Sequence, residues 1–159
     1  MIINRHALLR AAPIKDMRAA KVRGEITSHG MSEAGYDIRI KQGVVFEQGH
    51  RVWVDGVSGS GNFALASTIE EFQMPTDMVG VVHDKSTWAR MGLSVFNTVI
   101  EPGWRGFLTL ELVYHGRDPL RIPAGSGIAQ VLFHNTAITA SYDGKYQNQA
   151  DQPVDAIHG

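Results

Sequence analysis

The sequence has 159 residues, which suits one domain with a sizeable core, and its 15 basic residues nearly balance 16 acidic ones. Because no basic block is present, a nucleic-acid polymer is not indicated as a partner, although a single nucleotide remains possible. The absence of cysteine excludes disulfides and thiolate metal sites.

The N-terminal third predicts one short helix and two strands. Its first residues lack the apolar core of a signal peptide, and no window approaches a membrane span of roughly 18 apolar residues, so we expect a soluble cytoplasmic protein. Residues 4–12 predict a helix that Pro13 ends and that serves packing. The alternation in residues 36–41 predicts a half-buried strand, and RVWV, closed by Asp55-Gly56, is a second candidate.

The middle of the chain carries further strand and turn signals. GVSGSGN lacks the Lys-Ser/Thr pair of a phosphate-binding loop and is interpreted as a mobile hairpin loop. FALASTIEEF fits a helix or a strand, whereas MVGVV favours a strand. Pro102 and Gly103 fit the central positions of a type II turn, and PLRIPAGSGIAQVLFH predicts two strands about a bend. Short strands at regular spacing predict an all-β sandwich or closed barrel.

A short polar helix precedes that turn. Ser86 can cap it and Gly92 can end it, which predicts a helix over residues 87–91. Ser86 and Arg90 would then share one face, and a hydroxyl beside a guanidinium suits an anionic or strongly polar ligand. The alternative is a surface helix with a solvated arginine.

The strand FLTLELVY places one carboxylate among apolar neighbours. Its alternation puts Thr109 and Glu111 on the face opposite Leu108, Leu110 and Leu112. Burial raises the pKa of a carboxyl group, which is what a general acid or base working near neutral pH needs. The alternative is an inward charge that protects an edge strand from mispairing.

The last twenty residues, 140–159, are polar and rich in glutamine, and by themselves they are typical of a disordered tail. Tyr142, Lys145 and Tyr146 nevertheless supply two aromatic rings and a positive charge. Such a set would suit a lid over a base and its phosphates.

Five motifs together resemble the dUTPase and dCTP deaminase superfamily. AGYDIRI, KSTWARMGL, IEPGWRGFLTLEL, GIAQVLF and YDGKYQNQ occur in its order and nearly its spacing. The first and fourth are shared by both branches of the superfamily. KSTWAR, the Glu of LEL and the KYQNQ tail are similar to the deaminase branch, whereas plain dUTPases usually carry an apolar residue at position 111.

The resemblance implies an all-β fold, a distorted β-barrel or jelly-roll of the dUTPase-like type with short helical turns. It also implies a homotrimer with sites between subunits, no zinc at the reacting base, and residues 140–159 as a lid on a single domain spanning 1–159. The sequence agrees about zinc, because zinc deaminases need a His or Cys ligand set with paired cysteines and the seven histidines form no ligand-spaced pair.

The implied reaction is deamination of dCTP to dUTP and ammonia in pyrimidine deoxynucleotide metabolism. Glu111 would take a proton from the water that attacks C4, Ser86 would orient water or base, and Arg90 would keep Glu111 ionised or bind phosphate. Lys85 and Lys145 would meet the triphosphate, with Mg²⁺ bridging its oxygens. The remaining substrate-binding candidates are Thr87, Glu101, Trp104, Thr109, Tyr142 and Gln149.

Two departures from the family pattern leave alternatives open. Glu101 stands where the family more often has Asp, and the run from Arg90 to the Pro-Gly turn is two residues shorter, with a basic residue lost. The substrate could therefore be dUTP, dCMP or a modified cytosine nucleotide. The alternative functions are a dUTP diphosphatase, a bifunctional enzyme that makes dUMP from dCTP, and a nucleotide-binding regulator on the same fold.

Overall fold

β-Strands dominate the structure, as the alternating sequence predicts. The computed structural model describes residues 1–159. The first seven strands are β1 (Ile2–Ile3), β2 (Lys21–Val22), β3 (His29–Met31), β4 (Tyr36–Arg39), β5 (Val44–Glu47), β6 (Arg51–Val54) and β7 (Val57–Ser60). The others are β8 (Phe63–Gln73), β9 (Met78–Asp84), β10 (Leu93–Val95), β11 (Val99–Ile100), β12 (Arg105–Tyr114), β13 (Leu120–Ile122) and β14 (Gly127–Asn135).

Three antiparallel sheets wrap one core. The largest has the order β11-β9-β14-β4-β3-β2, with β1 also paired to β14; the others are β10-β12-β8 and β13-β5-β6-β7. Thirty buried hydrophobic residues form a single cluster between them, including Ile38, Val82 and Phe133. The all-β prediction is confirmed as a distorted jelly-roll rather than a barrel closed by hydrogen bonds, because each sheet ends in edge strands.

The β8–β12 pair forms the wall that later carries the site. Glu111 lies opposite Leu65, and the register shifts between Phe107 and Thr109. FALASTIEEF is therefore a strand, since its residues bury against β12 rather than forming a helical stripe. The β-bulge increases the local twist and re-aims the side chains that follow it.

The interpretation of GVSGSGN as a loop is wrong for four of its seven residues. Residues 57–60 pair with β6 as strand β7, and all four are exposed. Asp55 and Gly56, both with positive φ, form the two-residue turn that sets this register. An exposed edge strand needs no apolar alternation, so the pattern gave no strand signal.

Two short helices accompany the strands. Helix α1 spans Arg5–Ala11 and buries Leu8, close to the predicted bounds. Helix α2 spans Ser86–Arg90, and its N-cap is Lys85, with no side-chain hydrogen bond at the cap. The prediction that Ser86 caps this helix is therefore wrong, because the extended residue lies one position earlier. Neither helix is long and apolar enough to cross a membrane.

The predicted Pro-Gly turn joins β11 to β12. Gly103 has φ +75°, and the Trp104 amide donates to the Glu101 carbonyl at 3.1 Å. A positive φ at the third residue is what a type II turn requires of glycine. The turn is confirmed, and it places Glu101 and Trp104 at the rim of the wall formed by β12.

Candidate active site

A cavity of about 520 Å³ lies between β12, the β10–β11 segment and the C-terminal tail. Ten of its sixteen lining residues are hydrophobic, so it has the size and character of a small-molecule site. Six residues that the sequence proposed for the site line it: Glu101, Trp104, Thr109, Glu111, Tyr142 and Gln149.

Glu111 is the half-buried carboxylate of this cavity. It projects from β12, whose apolar neighbours Leu110 and Leu112 are buried on the other face. Burial raises the pKa of the Glu111 carboxyl above its ordinary value, and a hydrogen bond from Thr98 opposes part of that rise. The Thr98 Oγ1 donates to Glu111 Oε2 at 3.1 Å. The group is thus shifted toward the range in which a carboxyl exchanges protons near neutrality.

The C-terminal tail is packed against the rim and wall of the cavity. The Trp104 Nε1 donates to the Tyr146 carbonyl at 2.7 Å. The Thr109 hydroxyl accepts from the Val154 amide at 3.1 Å and from the Gln149 side chain. These bonds explain the burial of Thr109, whose polar group is satisfied by the tail rather than by the sheet.

A glutamine anchors the same tail to the Pro-Gly turn. The Gln147 Nε2 donates to the carbonyls of Gly103 and Tyr142 at 3.0 and 2.9 Å, and its Oε1 accepts from the Arg105 amide at 2.7 Å. Its Oε1 also accepts from the Asn148 amide at 3.2 Å, so one side chain satisfies four backbone groups on two segments. The polar composition that is typical of a disordered tail here supplies the contacts that hold it.

The other predicted residues lie outside the cavity. Ser86, Thr87 and Arg90 are exposed on α2, which is anchored by the buried Trp88. The Trp88 Nε1 donates to the Gly127 carbonyl at 2.7 Å. Within one chain the structure therefore does not bring Ser86 and Arg90 to Glu111.

The two lysines proposed to meet phosphate have partners within the chain. Lys85 Nζ lies 2.6 Å from Asp37 Oδ2. Lys145 donates to the Ile157 carbonyl and lies 5.5 Å from the centre of the Tyr146 ring. Neither lysine lines the cavity of its own chain.

Sequence reasoning missed several residues that line the cavity. Thr98 sits in an irregular segment where no periodicity applies, and Asp155 sits in the tail, where only its charge marked it. Tyr146 was noted for the lid but not assigned to the site. Tyr146 belongs to the YDGKYQNQ motif, and the Trp104 indole contacts the Tyr146 carbonyl. That motif was therefore the sequence signal that could have assigned Tyr146 to the site.

The charges of the lining are all acidic. Glu101, Glu111 and Asp155 line the cavity, and no lysine, arginine or histidine does so. No group of three or more His, Asp or Glu residues is arranged to hold a metal ion. An anionic ligand bound here would therefore need cations from outside this set of residues.

Comparisons with known proteins agree on one family. A family model described as dCTP deaminase-like matches residues 57–136. The chain is 34% identical to a dCTP deaminase of Acinetobacter baumannii (strain AYE), covering 91% of this chain and 88% of the relative. It is 37% identical to a dCTP deaminase of Roseiflexus castenholzii, with 86% of each chain covered.

Solved structures show the same fold at lower identity. Native EIAV dUTPase superposes with a TM-score of 0.55 at 17% identity, over 85% of this chain and 92% of that one. A mutant dUTPase of phage phi11 of S. aureus, described as coordinating a structural Mg(II) ion, gives 0.55 at 16% identity over 82% and 92%. These likenesses establish the dUTPase-like fold and nothing about chemistry.

Proposed function

The chain belongs to the dCTP deaminase-like family, and from that membership we propose that it hydrolyses dCTP to dUTP and ammonia without zinc at the reacting base. The observation that carries the proposal is Glu111, an ionisable group on a largely apolar cavity wall with a raised pKa. A carboxylate in that setting suits proton transfer. A site that only binds a ligand would not need an ionisable carboxyl group on an apolar wall, where burial disfavours the charged form.

Glu111 acts as general base and then as general acid. In its ionised form it takes a proton from the water whose oxygen forms a bond to C4 of cytosine. It passes that proton to N3. It then takes the second proton from the hydroxyl now on C4 and passes it to the exocyclic amine, so that the C4–N bond breaks, a carbonyl forms at C4 and ammonia leaves. Proton transfer of this kind is typically worth about 10² to 10⁴ in rate.

The rest of the cavity holds the nucleoside. Trp104 and Tyr142 offer aromatic faces, while Thr109, Gln149 and Glu101 offer polar groups at the rim. The tail of residues 140–159 forms the lid of the single domain. Its contacts to Trp104, Thr109 and Gly103 support this role, because they close the cavity on one side.

The triphosphate needs positive charge, which the acidic lining does not supply. We propose that Ser86, Thr87 and Arg90 on α2 reach the cavity of a neighbouring subunit in a homotrimer. Two observations support this arrangement: these side chains are exposed, and Phe63, Phe96 and Val99 are about half-exposed beside the cavity. Lys85 and Lys145 complete the proposed phosphate contacts.

Mg²⁺ accompanies the triphosphate in this proposal. The chain has no cluster of three acidic or histidine ligands, and Mg²⁺ commonly keeps several waters and binds through substrate phosphates. The residues therefore suit an ion carried by the nucleotide rather than by a protein cage. A cytoplasmic location, where deoxynucleotides are made and used, belongs to the same proposal.

Glu101 supports a second activity. Its carboxylate lines the same cavity at the Pro-Gly turn, in the position that in dUTPases activates water for phosphoryl chemistry. A bifunctional enzyme would then cleave the dUTP it forms and release dUMP. This makes the fate of the triphosphate the main question about the product.

One assay separates the candidates. The protein is incubated with Mg²⁺ and dCTP or dUTP, and ammonia and pyrophosphate are measured separately. We expect ammonia from dCTP and its loss in Glu111→Gln, with Glu71→Gln as the matched surface control. Glu71 is partly exposed and pairs with Lys15 away from the cavity.

The other outcomes identify the other functions. Ammonia together with pyrophosphate from dCTP indicates the bifunctional enzyme, and a parallel Glu101→Gln variant should then lose pyrophosphate alone. Pyrophosphate from dUTP without ammonia indicates a diphosphatase. Binding of dCTP without either product indicates a regulator, and full ammonia release by Glu111→Gln contradicts the assigned role of Glu111.

A further inference from the structure

Thr98 is the one residue whose side chain hydrogen-bonds the Glu111 carboxylate. Its Oγ1 lies 3.1 Å from Glu111 Oε2 and 3.5 Å from the Phe96 carbonyl. A hydroxyl has a single proton to donate, so the nearer and charged acceptor takes it. The bond leaves Glu111 Oε1 with no side-chain partner.

The backbone fixes Thr98 independently of this bond. The Thr98 carbonyl accepts from the Val82 amide at 3.0 Å, and its amide donates to the Phe96 carbonyl at 2.9 Å. The Phe96 amide donates in turn to the Glu111 carbonyl at 3.0 Å. The segment is thus tied to both β9 and β12, and the hydroxyl is delivered to Glu111 by main-chain contacts.

We propose that Thr98 is a positioning residue for Glu111: its hydroxyl holds Oε2, so that Oε1 is the oxygen that exchanges a proton with water and base. This inference rests on the proposed function and extends it to a residue outside the motifs that identify the family. It also assigns a role to the shortened segment between α2 and the Pro-Gly turn.

The bond has an electrostatic consequence. Donation to the carboxylate favours the ionised form and so opposes the rise in the Glu111 pKa that burial causes. The apolar Leu65 lies opposite Glu111 on β8. The other titratable groups lining the cavity are Glu101, Tyr142, Tyr146 and Asp155. Removal of the Thr98 hydroxyl leaves all four in place, so a change in the Glu111 pKa would report the lost hydrogen bond.

Thr98→Val tests the proposal, because valine keeps the shape of threonine and removes the hydroxyl. We expect the pKa of Glu111, followed by carbon-13 NMR of its carboxyl group, to rise. The acidic limb of the kcat/KM profile should move to higher pH by the same amount. At pH values on the acidic side of that limb, kcat/KM of the variant should be about 10-fold to 100-fold lower than that of the wild type, the range for loss of a hydrogen bond to a charged group. Thr98→Ser should restore both values.

Thr136→Val is the matched control. Its hydroxyl donates to the Ile138 carbonyl at 2.8 Å in an exposed segment outside the cavity. An unchanged Glu111 pKa in Thr98→Val would overturn the proposal. So would a loss of activity in Thr98→Val that Thr98→Ser does not restore, because that pattern indicates structural damage rather than loss of the hydroxyl.

The proposed function can fail separately. If the wild-type protein releases no ammonia from any cytosine nucleotide, the deaminase assignment fails, and the NMR titration still reports whether Thr98 controls Glu111. If the pKa shifts while the pH profile of an active enzyme stays fixed, the bond exists but does not position the base. That result overturns the inference while leaving deamination intact.

Discussion

Lys85 and Asp37 form an ion pair across 48 residues of sequence, with 2.6 Å between Nζ and Oδ2. The two side chains are 15% and 3% exposed. Gln130 Nε2 also donates to the Asp37 carboxylate at 3.3 Å. The pair therefore joins the KSTWAR motif to the AGYD and GIAQ motifs and fixes the start of α2.

Removal of the lysine should be costly, since it leaves the buried Asp37 carboxylate without the cation that pairs with it. We expect Lys85→Gln to lower the free energy of unfolding by about 3 to 5 kcal/mol in urea titrations at one protein concentration. Lys15→Gln is the control: it breaks the exposed pair with Glu71, 2.7 Å across, and should cost about 0 to 1 kcal/mol. Equal losses in the two variants would show that burial of Asp37 is not the reason.

Subunit mixing tests whether α2 serves a neighbour's cavity. Arg90→Ala and Glu111→Gln should each be inactive as homotrimers, because each lacks one half of the proposed site. In trimers co-assembled from equal amounts, about a quarter of the sites would combine an intact Arg90 with an intact Glu111. We expect ammonia release to recover toward that fraction, whereas an inactive mixture would place both residues in one chain's site.

Glu111→Gln should stabilise the protein at neutral pH while abolishing deamination. Since the folded-state pKa is raised, the folded protein holds the proton more tightly than the unfolded chain, and ionised Glu111 reduces stability at higher pH. Glutamine is neutral and can still accept from Thr98. The melting temperature of the variant should exceed that of the wild type above the raised pKa.

This difference has a defined pH window. It should shrink as the pH falls through the raised pKa and vanish below the ordinary value of 4.5. Melting temperatures measured across that range provide the check. A constant difference at all pH values would indicate that packing, not ionisation, separates the two proteins.

Gly106 should be essential for docking of the tail. It has φ +129°, forms a parallel bridge with Gln149, and a Cβ there would lie 2.5 Å from the Gln149 amide nitrogen. The Phe107 amide donates to the Gln149 carbonyl, so its hydrogen exchange reports whether the tail is docked. We expect Gly106→Ala to speed this exchange by about 10-fold for each 1.4 kcal/mol lost from the free energy of docking the tail.

Gly61→Ala is the control for backbone strain alone. Gly61 also has a positive φ, +96°, but no atom lies within 4 Å of a Cβ built there. It should lower overall stability without changing exchange at Phe107. Equal acceleration in both variants would contradict a specific contact between Gly106 and the tail.

The local features of the chain were predictable from its sequence. Alternation identified β4 and β12 because side-chain direction in a strand repeats every two residues. Pro102 and Gly103 identified their turn because proline fixes φ and glycine permits a positive φ. The sequence also determined that Glu111 stands among apolar neighbours, since its strand face is read from that same alternation.

Relationships across the fold were decided only by the tertiary structure. Periodicity does not reveal that Thr98 bonds Glu111, that Lys85 pairs with Asp37, or that Gln147 holds the tail, because those contacts depend on which sheets pack together. The separation of Ser86 from the Glu111 cavity is of the same kind. The sequence by itself thus determined the strands and the carboxylate, whereas long-range packing decided which groups surround that carboxylate.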